Sequence, residues 1–218
     1  MTEINLLEKY TRTKRDVMSR AAEKTEEDRI IARKFEKEFF DGDRKYGYGG
    51  FSYNPKYWTE VVRDIIAYYH LTKDSTLLDI GCAKGFMLFD FKQALPELIV
   101  KGIDISAYAI EHAKEEIKPF VSVGNAENLH VFKDKEFDLI ISINTLHNLP
   151  LEKCKLALQQ IERIGRHSFI TVDAWRTEEE KKRMLSWNLT AKVLMHVDDW
   201  KKLFDEIGYK GDYYWFIP

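Results

Sequence analysis

Between Thr76 and Val172 the chain alternates short, almost wholly apolar runs with stretches of helical periodicity, and few folds accommodate that rhythm. The runs are 76–80, 99–103, 120–123, 138–143 and 168–172, and helical patterns occupy 85–95, 107–117 and 152–164 between them. An apolar run with no in/out alternation is the mark of a strand covered on both faces, and the intervening helices supply the crossovers that parallel strands require. The expected fold is therefore α/β, a doubly wound, mostly parallel sheet of the Rossmann-like kind. After Val172 the pattern is less regular. Residues 178–189 and 198–207 read as helices, 209–217 as a closing strand, and 193–197 as an extra strand or a helix end, so the sheet has six strands or seven.

The part before the sheet differs in character. Residues 1 to about 45 are dense in both signs of charge, with apolar residues at helical intervals around Ile30, Ile31, Phe35 and Phe39, and are expected to form one or two amphipathic helices. Glycines and a proline make 41–55 a loop, unusually rich in aromatics at Tyr46, Tyr48, Phe51 and Tyr53. Trp58, Val61, Val62, Ile65, Ile66 and Tyr69 then mark one face of a helix. This divides the chain into an N-terminal helical extension with its loop, 1–55, and a ligand-binding domain, 56–218.

Composition narrows the partners. Of 218 residues, 44% are hydrophobic, enough for a substantial core, and 34 basic against 36 acidic residues leave a net charge of −2, which argues against a nucleic-acid partner. No run approaches the roughly 20 apolar residues of a membrane span. Cys82 and Cys154 form neither a disulfide framework nor a metal pattern, so a cytoplasmic location and no metal are expected. The balanced charge leaves a homodimer through the N-terminal helices open.

Ligands of such sheets sit beyond the carboxyl ends of the strands. After the first strand stands Asp79-Ile-Gly-Cys-Ala-Lys-Gly85, in which Gly81, Ala83 and Gly85 permit a sharp turn and close approach to a ligand. A dinucleotide G-x-G-x-x-G fingerprint fits in neither register, because position 79 is Asp and position 86 is Phe. Asp79 suits the ammonium group of an amino-acid moiety. At the tip of the second strand, about 20 residues on, Asp104 is placed to accept both hydroxyls of a ribose; the competing role of helix cap falls better to Ser106. Asn125 and a backbone N–H near Ala126 offer the donor and acceptor that the edge of an adenine asks for.

In order and spacing, Asp79–Gly85, Gly102-Ile-Asp104, Gly124-Asn-Ala-Glu127 and Phe137-Asp-Leu-Ile-Ile141 resemble the motifs of class I S-adenosylmethionine-dependent methyltransferases. The resemblance covers 72–172 and implies S-adenosyl-L-methionine as cofactor, with the 79–85 loop around its methionine part and Asp104 on its ribose. It further implies that Ile105 packs on the adenine, that Asn125 and Ala126 read its edge, and that Asn144 lies near the sulfonium. Ala83 stands where a glycine is more usual. The [N/D/S]-P-P-[Y/F] run of amino-methylases that act on flipped bases is replaced by Asn144-Thr-Leu-His147, so a small-molecule acceptor is expected.

His147, just beyond the fourth strand, is the candidate general base, or else only orients substrate or caps the next helix. Trp175 and Arg176, after the fifth strand, are candidates for the crevice mouth, with pairing of Arg176 to Glu178–Glu180 as the alternative. Tyr46, Tyr48, Tyr53 and Trp58 are candidate substrate contacts on a lid, or else pack a core. The expected activity is methyl transfer to a hydroxyl or amine of a small polar molecule, a sugar or natural-product intermediate. A peptide methyltransferase, a non-catalytic cofactor-binding protein and an NAD-dependent dehydrogenase are the rival readings.

Overall fold

A computed structural model describes residues 1–11, 25–49 and 51–218. Among the described residues seven strands form one sheet: β1 (Thr76–Ile80), β2 (Ile99–Asp104), β3 (Val121–Val123), β4 (Phe137–Ile143), β5 (Gly165–Trp175), β6 (Met195–His196) and β7 (Asp212–Phe216). The spatial order is β3-β2-β1-β4-β5, with β7 beside β5 and the two-residue β6 on the end of β5, and every ladder is parallel. β1 lies at the switch point, pairing Leu77–Ile80 with 100–103 on one side and Leu77–Asp79 with 139–141 on the other. Its fully buried Leu77 and Leu78 belong to different apolar clusters, as expected of a strand covered on both faces.

One cluster packs α6 (Leu151–Ile164) and α8 (Val197–Ile207) against the sheet through Leu158, Ile161, Trp200 and Phe204, all fully buried. Each such side chain contributes roughly 1.5–3 kcal/mol. The other joins α3 (Pro55–Tyr69) and α4 (Phe86–Ala94) through Val61, Val62, Ile65 and Phe91. α3 begins with Asn54 accepting the Lys56 N–H and Pro55 preset for the first turn, and stops at His70 in the left-handed region. α7 (Glu178–Trp187) starts on a reciprocal capping box between Thr177 and Glu180.

The structure corrects several expectations. The helix expected over 107–117 is only α5 (Ala107–Glu111), because the Lys114 N–H donates to the Lys84 carbonyl at 3.1 Å and Ile117 turns in beneath Gly85. β5 starts three residues before its apolar run, at Gly165-Arg-His, where strand pairing with β4 outweighs polar composition. Within the N-terminal part, α1 (Glu26–Ala32) and α2 (Lys37–Asp41) are short helices. Residues 1–11 are not helical: Glu3 bridges Tyr213 on β7, and Leu6 and Leu7 join the second apolar cluster. The rest of the helical expectation, 12–24, lies outside the described residues, as does Gly50 of the loop. No helix among the described residues is long and apolar enough to cross a membrane.

Candidate active site at the strand tips

The β1 tip turns sharply into α4. Gly81, Ala83 and Gly85 have φ of +83°, +50° and +72°, a region that only glycine enters without cost. A Cβ on Gly81 would lie 2.1 Å from Thr145 Oγ1, and one on Gly85 would lie 2.6 Å from Ile117 Cγ2, so both glycines also answer to close packing. Asp104 fastens the turn: the Ala83 N–H donates to Oδ2 and the Ser106 N–H to Oδ1, each at 2.8 Å. Ser106 itself caps α5 by accepting the Ala109 N–H. Burial pushes the Asp104 carboxyl up, and those two backbone bonds oppose the shift.

Asp79 is 3% exposed, and its carboxyl is pushed up to about 8 by burial and by the Asp104 charge. A cation beside it relieves both penalties, which fits an ammonium group. Ile105, 55% exposed, offers an apolar surface next to Asp104. On the β3 side Asn125 Oδ1 accepts the Glu127 N–H, and its Nδ2 donates to Glu127 Oε1, which Lys153 also holds. Glu127 is therefore no idle surface residue, since it fixes the orientation of the Asn125 amide. Buried Ala126 lies between them. A carboxylate has about four acceptor positions, so Asp104 keeps room for a diol beyond its two backbone bonds. These groups fit S-adenosylmethionine: an acceptor acid for an ammonium, an acceptor acid for a ribose diol, an amide and an apolar face for an adenine.

Lys84, inside the turn, is buried. Its Nζ donates to both oxygens of Asp41, at 2.5 and 2.6 Å, and to the Phe51 carbonyl at 2.9 Å, while the Tyr108 hydroxyl donates to Asp41 at 2.8 Å. The end of α2 and the aromatic loop are thus tied to the turn after β1. The clamp carries no signal in the sequence, because 43 residues separate its partners.

A cavity of about 550 Å³ opens beside the β4 and β5 tips. Its walls are apolar and aromatic, from Leu7, Tyr10, Phe39, Tyr48, Trp58 and Trp187; its polar lining includes Arg44, Asn144, His147, Asn148, Asp173 and Thr190. Tyr48 and Trp187 stack at 5.6 Å, and the Tyr48 hydroxyl accepts the Leu189 N–H at 2.8 Å. Asn144 has φ +53°, held there by Thr171, which accepts its N–H and donates to its Oδ1 at 2.8 Å. The neighbouring Thr145 packs against Gly81, so the β4 tip stands between the cavity and the turn after β1.

Tyr48, Trp58, Asn144 and His147 therefore come together at this cavity. The other four candidates for substrate contact do not line it. Tyr53 donates to Asp90 at 2.9 Å and packs on Phe86 and Phe89. Tyr46 lies under Lys45, Trp175 under Lys181, and Arg176 donates to Glu3 at 2.6 Å rather than to Glu178–Glu180 through its side chain. The loop 41–55 is thus part cavity wall and part packing on α4.

His147 differs from a base poised near neutrality. It is 3% exposed, burial pushes its imidazole down to about 3, and the Asp173 backbone N–H donates to its Nδ1 at 3.0 Å. Asp173, 4% exposed, stands with Oδ2 at 3.6 Å from His147 Nε2, and burial pushes its carboxyl up to about 7. It was overlooked in the sequence, though an acid ending an apolar strand is the same signal that singled out Asp104.

Residues 71–212 match the family described as "Methyltransferase domain". No curated protein matches the sequence. Among solved structures, YcgJ of Bacillus subtilis superposes with a TM-score of 0.55 at 17% identity, over 67% of this chain and 66% of its own. A SAM-dependent methyltransferase of Archaeoglobus fulgidus gives 0.54 at 19%, over 80% and 72%. A putative methyltransferase from an antibiotic biosynthesis pathway of Anabaena variabilis gives 0.51 at 25%, over 69% and 61%. The chain spans just under two thirds of the length of YcgJ. With the family matched across 71–212, more than half of the chain, and the strand order 3-2-1-4-5 with an acid at each of the first two strand tips, the chain belongs to the methyltransferase-domain family.

Proposed function

We propose that the protein moves a methyl group from S-adenosylmethionine to a hydroxyl or amine of a small molecule held in the cavity beside the β4 tip. The observation that carries this is the shared wall: Thr145 abuts Gly81 of the cofactor turn while Asn144 lines the cavity. A volume of about 550 Å³ suits a small organic acceptor. The aromatic walls shift the expected acceptor from a sugar towards a molecule with an apolar or aromatic body.

When bound, the cofactor supplies an activated methyl on a sulfonium; the protein's share is alignment and exclusion of water. Asp79 takes the ammonium group, and the backbone of Gly81, Ala83 and Gly85 wraps the methionine part. Asp104 accepts the ribose hydroxyls. Ile105, Asn125 and Ala126 hold the adenine, and Asn144 stands at the reacting end. Tyr48 and Trp58 form acceptor walls. The test is incubation of the protein with methyl-deuterated cofactor and a metabolite extract, followed by mass spectrometry. A labelled product of low mass supports the reading; label found only in added peptides, or none transferred, contradicts it.

A further inference from the structure

We propose that Asp173, and not His147, accepts the proton of the acceptor, and that this acceptor is an amine entering as an ammonium ion on an aromatic or apolar body. The inference rests on the cavity being the acceptor site, as argued above.

Consider His147 first. A ring nitrogen that accepts an N–H bond carries the lone pair, so with Nδ1 taking the Asp173 backbone N–H the proton of the neutral imidazole sits on Nε2. The one lone pair of the ring is thus already used. Protonating Nδ1 would set two N–H groups against each other at 3.0 Å. His147 is left as a donor that orients, with its Nε2 towards Asp173.

Asp173 has the opposite character. Asp104 receives two backbone N–H bonds at 2.8 Å, whereas the Asp173 carboxylate accepts no hydrogen bond from another described residue; His147 Nε2 stands 3.6 Å from its Oδ2, and the carboxylate's charge helps to push the Tyr48 hydroxyl up. A buried carboxylate so placed is costly until a donor meets it. The charged or titratable side chains lining the cavity with it are Arg44, Tyr10, Tyr48, Tyr57 and His147. From α8 the Trp200 indole N–H, which is neutral, donates only to the Asp173 backbone carbonyl. An ammonium satisfies the carboxylate, and the faces of Tyr48 and Trp58 attract a cation. The upward push of burial to about 7 suits a base working near neutrality.

The step is a simple proton transfer. R–NH3+ gives one proton to an Asp173 oxygen, leaving R–NH2 with a free lone pair and a neutral carboxylic acid, and no oxidant or reductant takes part. The carboxyl afterwards returns the proton to water.

Two measurements test this. With 15N-labelled histidine, NMR of the wild-type protein from pH 5 to 8 should show His147 as the Nε2–H tautomer throughout; an Nδ1–H tautomer, or titration near 6.5, overturns the assignment. Calorimetry with S-adenosylhomocysteine present then compares phenethylammonium with 2-phenylethanol. The amine should bind at least tenfold tighter than the alcohol, and Asp173→Asn should remove that advantage while S-adenosylhomocysteine binds as before. Equal binding of the two probes, binding of neither, or an amine advantage that survives Asp173→Asn overturns the inference. Failure of the wild type to bind S-adenosylhomocysteine would instead strike at the proposed function.

Discussion

Asp104→Ala tests two roles of one carboxylate. The substitution removes the acceptor of two backbone N–H bonds of 2.8 Å, from Ala83 and Ser106. Each orphaned donor costs about 1–3 kcal/mol, so the loss of both partners should lower folding stability by about 2–6 kcal/mol. If the same oxygens also bind a ribose, loss of charged hydrogen bonds removes a further ~1.5–3 kcal/mol from cofactor affinity, or about tenfold to a hundredfold. Asp104→Asn separates the two effects, since it keeps the shape and one acceptor oxygen while losing the charge. Its stability should fall less than that of Asp104→Ala, and its affinity for S-adenosylhomocysteine about as much. Urea unfolding gives the first quantity and calorimetric titration the second. A folded Asp104→Asn protein with wild-type affinity would refute the ribose assignment and leave Asp104 as a fastener of the turn alone.

Two further expectations follow from buried charge. Asp79 is pushed up to about 8 and Asp173 to about 7, so both hold a proton in the folded chain that the unfolded chain releases near 4. Stability therefore falls as pH rises towards those values, whereas the depressed His147 contributes in the opposite sense only below 6.5. Between pH 6.5 and 8 the urea midpoint should decline, and Asp79→Asn should flatten that decline; a decline unchanged in Asp79→Asn would show that Asp79 does not titrate there. For the clamp, Lys84→Met and Asp41→Asn should each cost about 2–4 kcal/mol, less than a fully buried pair because Asp41 is 27% exposed. Together they should cost less than the sum, and hydrogen exchange should speed up in 41–51; additive losses would mean the pair does not couple the two segments.

Much of the architecture was legible because a strand covered on both faces has to be nearly all apolar, and β1 and β4 announced themselves that way, whereas β2 carries exposed Ile99 and Lys101 in its first half. The early end of α5 was not, because it depends on a bond between Lys114 and Lys84, 30 positions apart. Glycines and acids at strand tips marked the sharp turn after β1, since the backbone geometry they permit is local. The state of His147 was hidden for the opposite reason. Its position after β4 could be read, but its tautomer is set by a backbone N–H on β5, 26 residues later. The Lys84–Asp41 pair is likewise a product of folding, and the sequence shows only a lysine between small residues.

The most direct measurement is a crystal structure of the protein with S-adenosylhomocysteine. The account predicts the nucleoside across the tips of β1, β2 and β3, with the ribose on Asp104, the purine beside Asn125 and Ile105, and the amino group at Asp79. A ligand bound elsewhere on the molecule, or a saturated crystal with none at those tips, would contradict it.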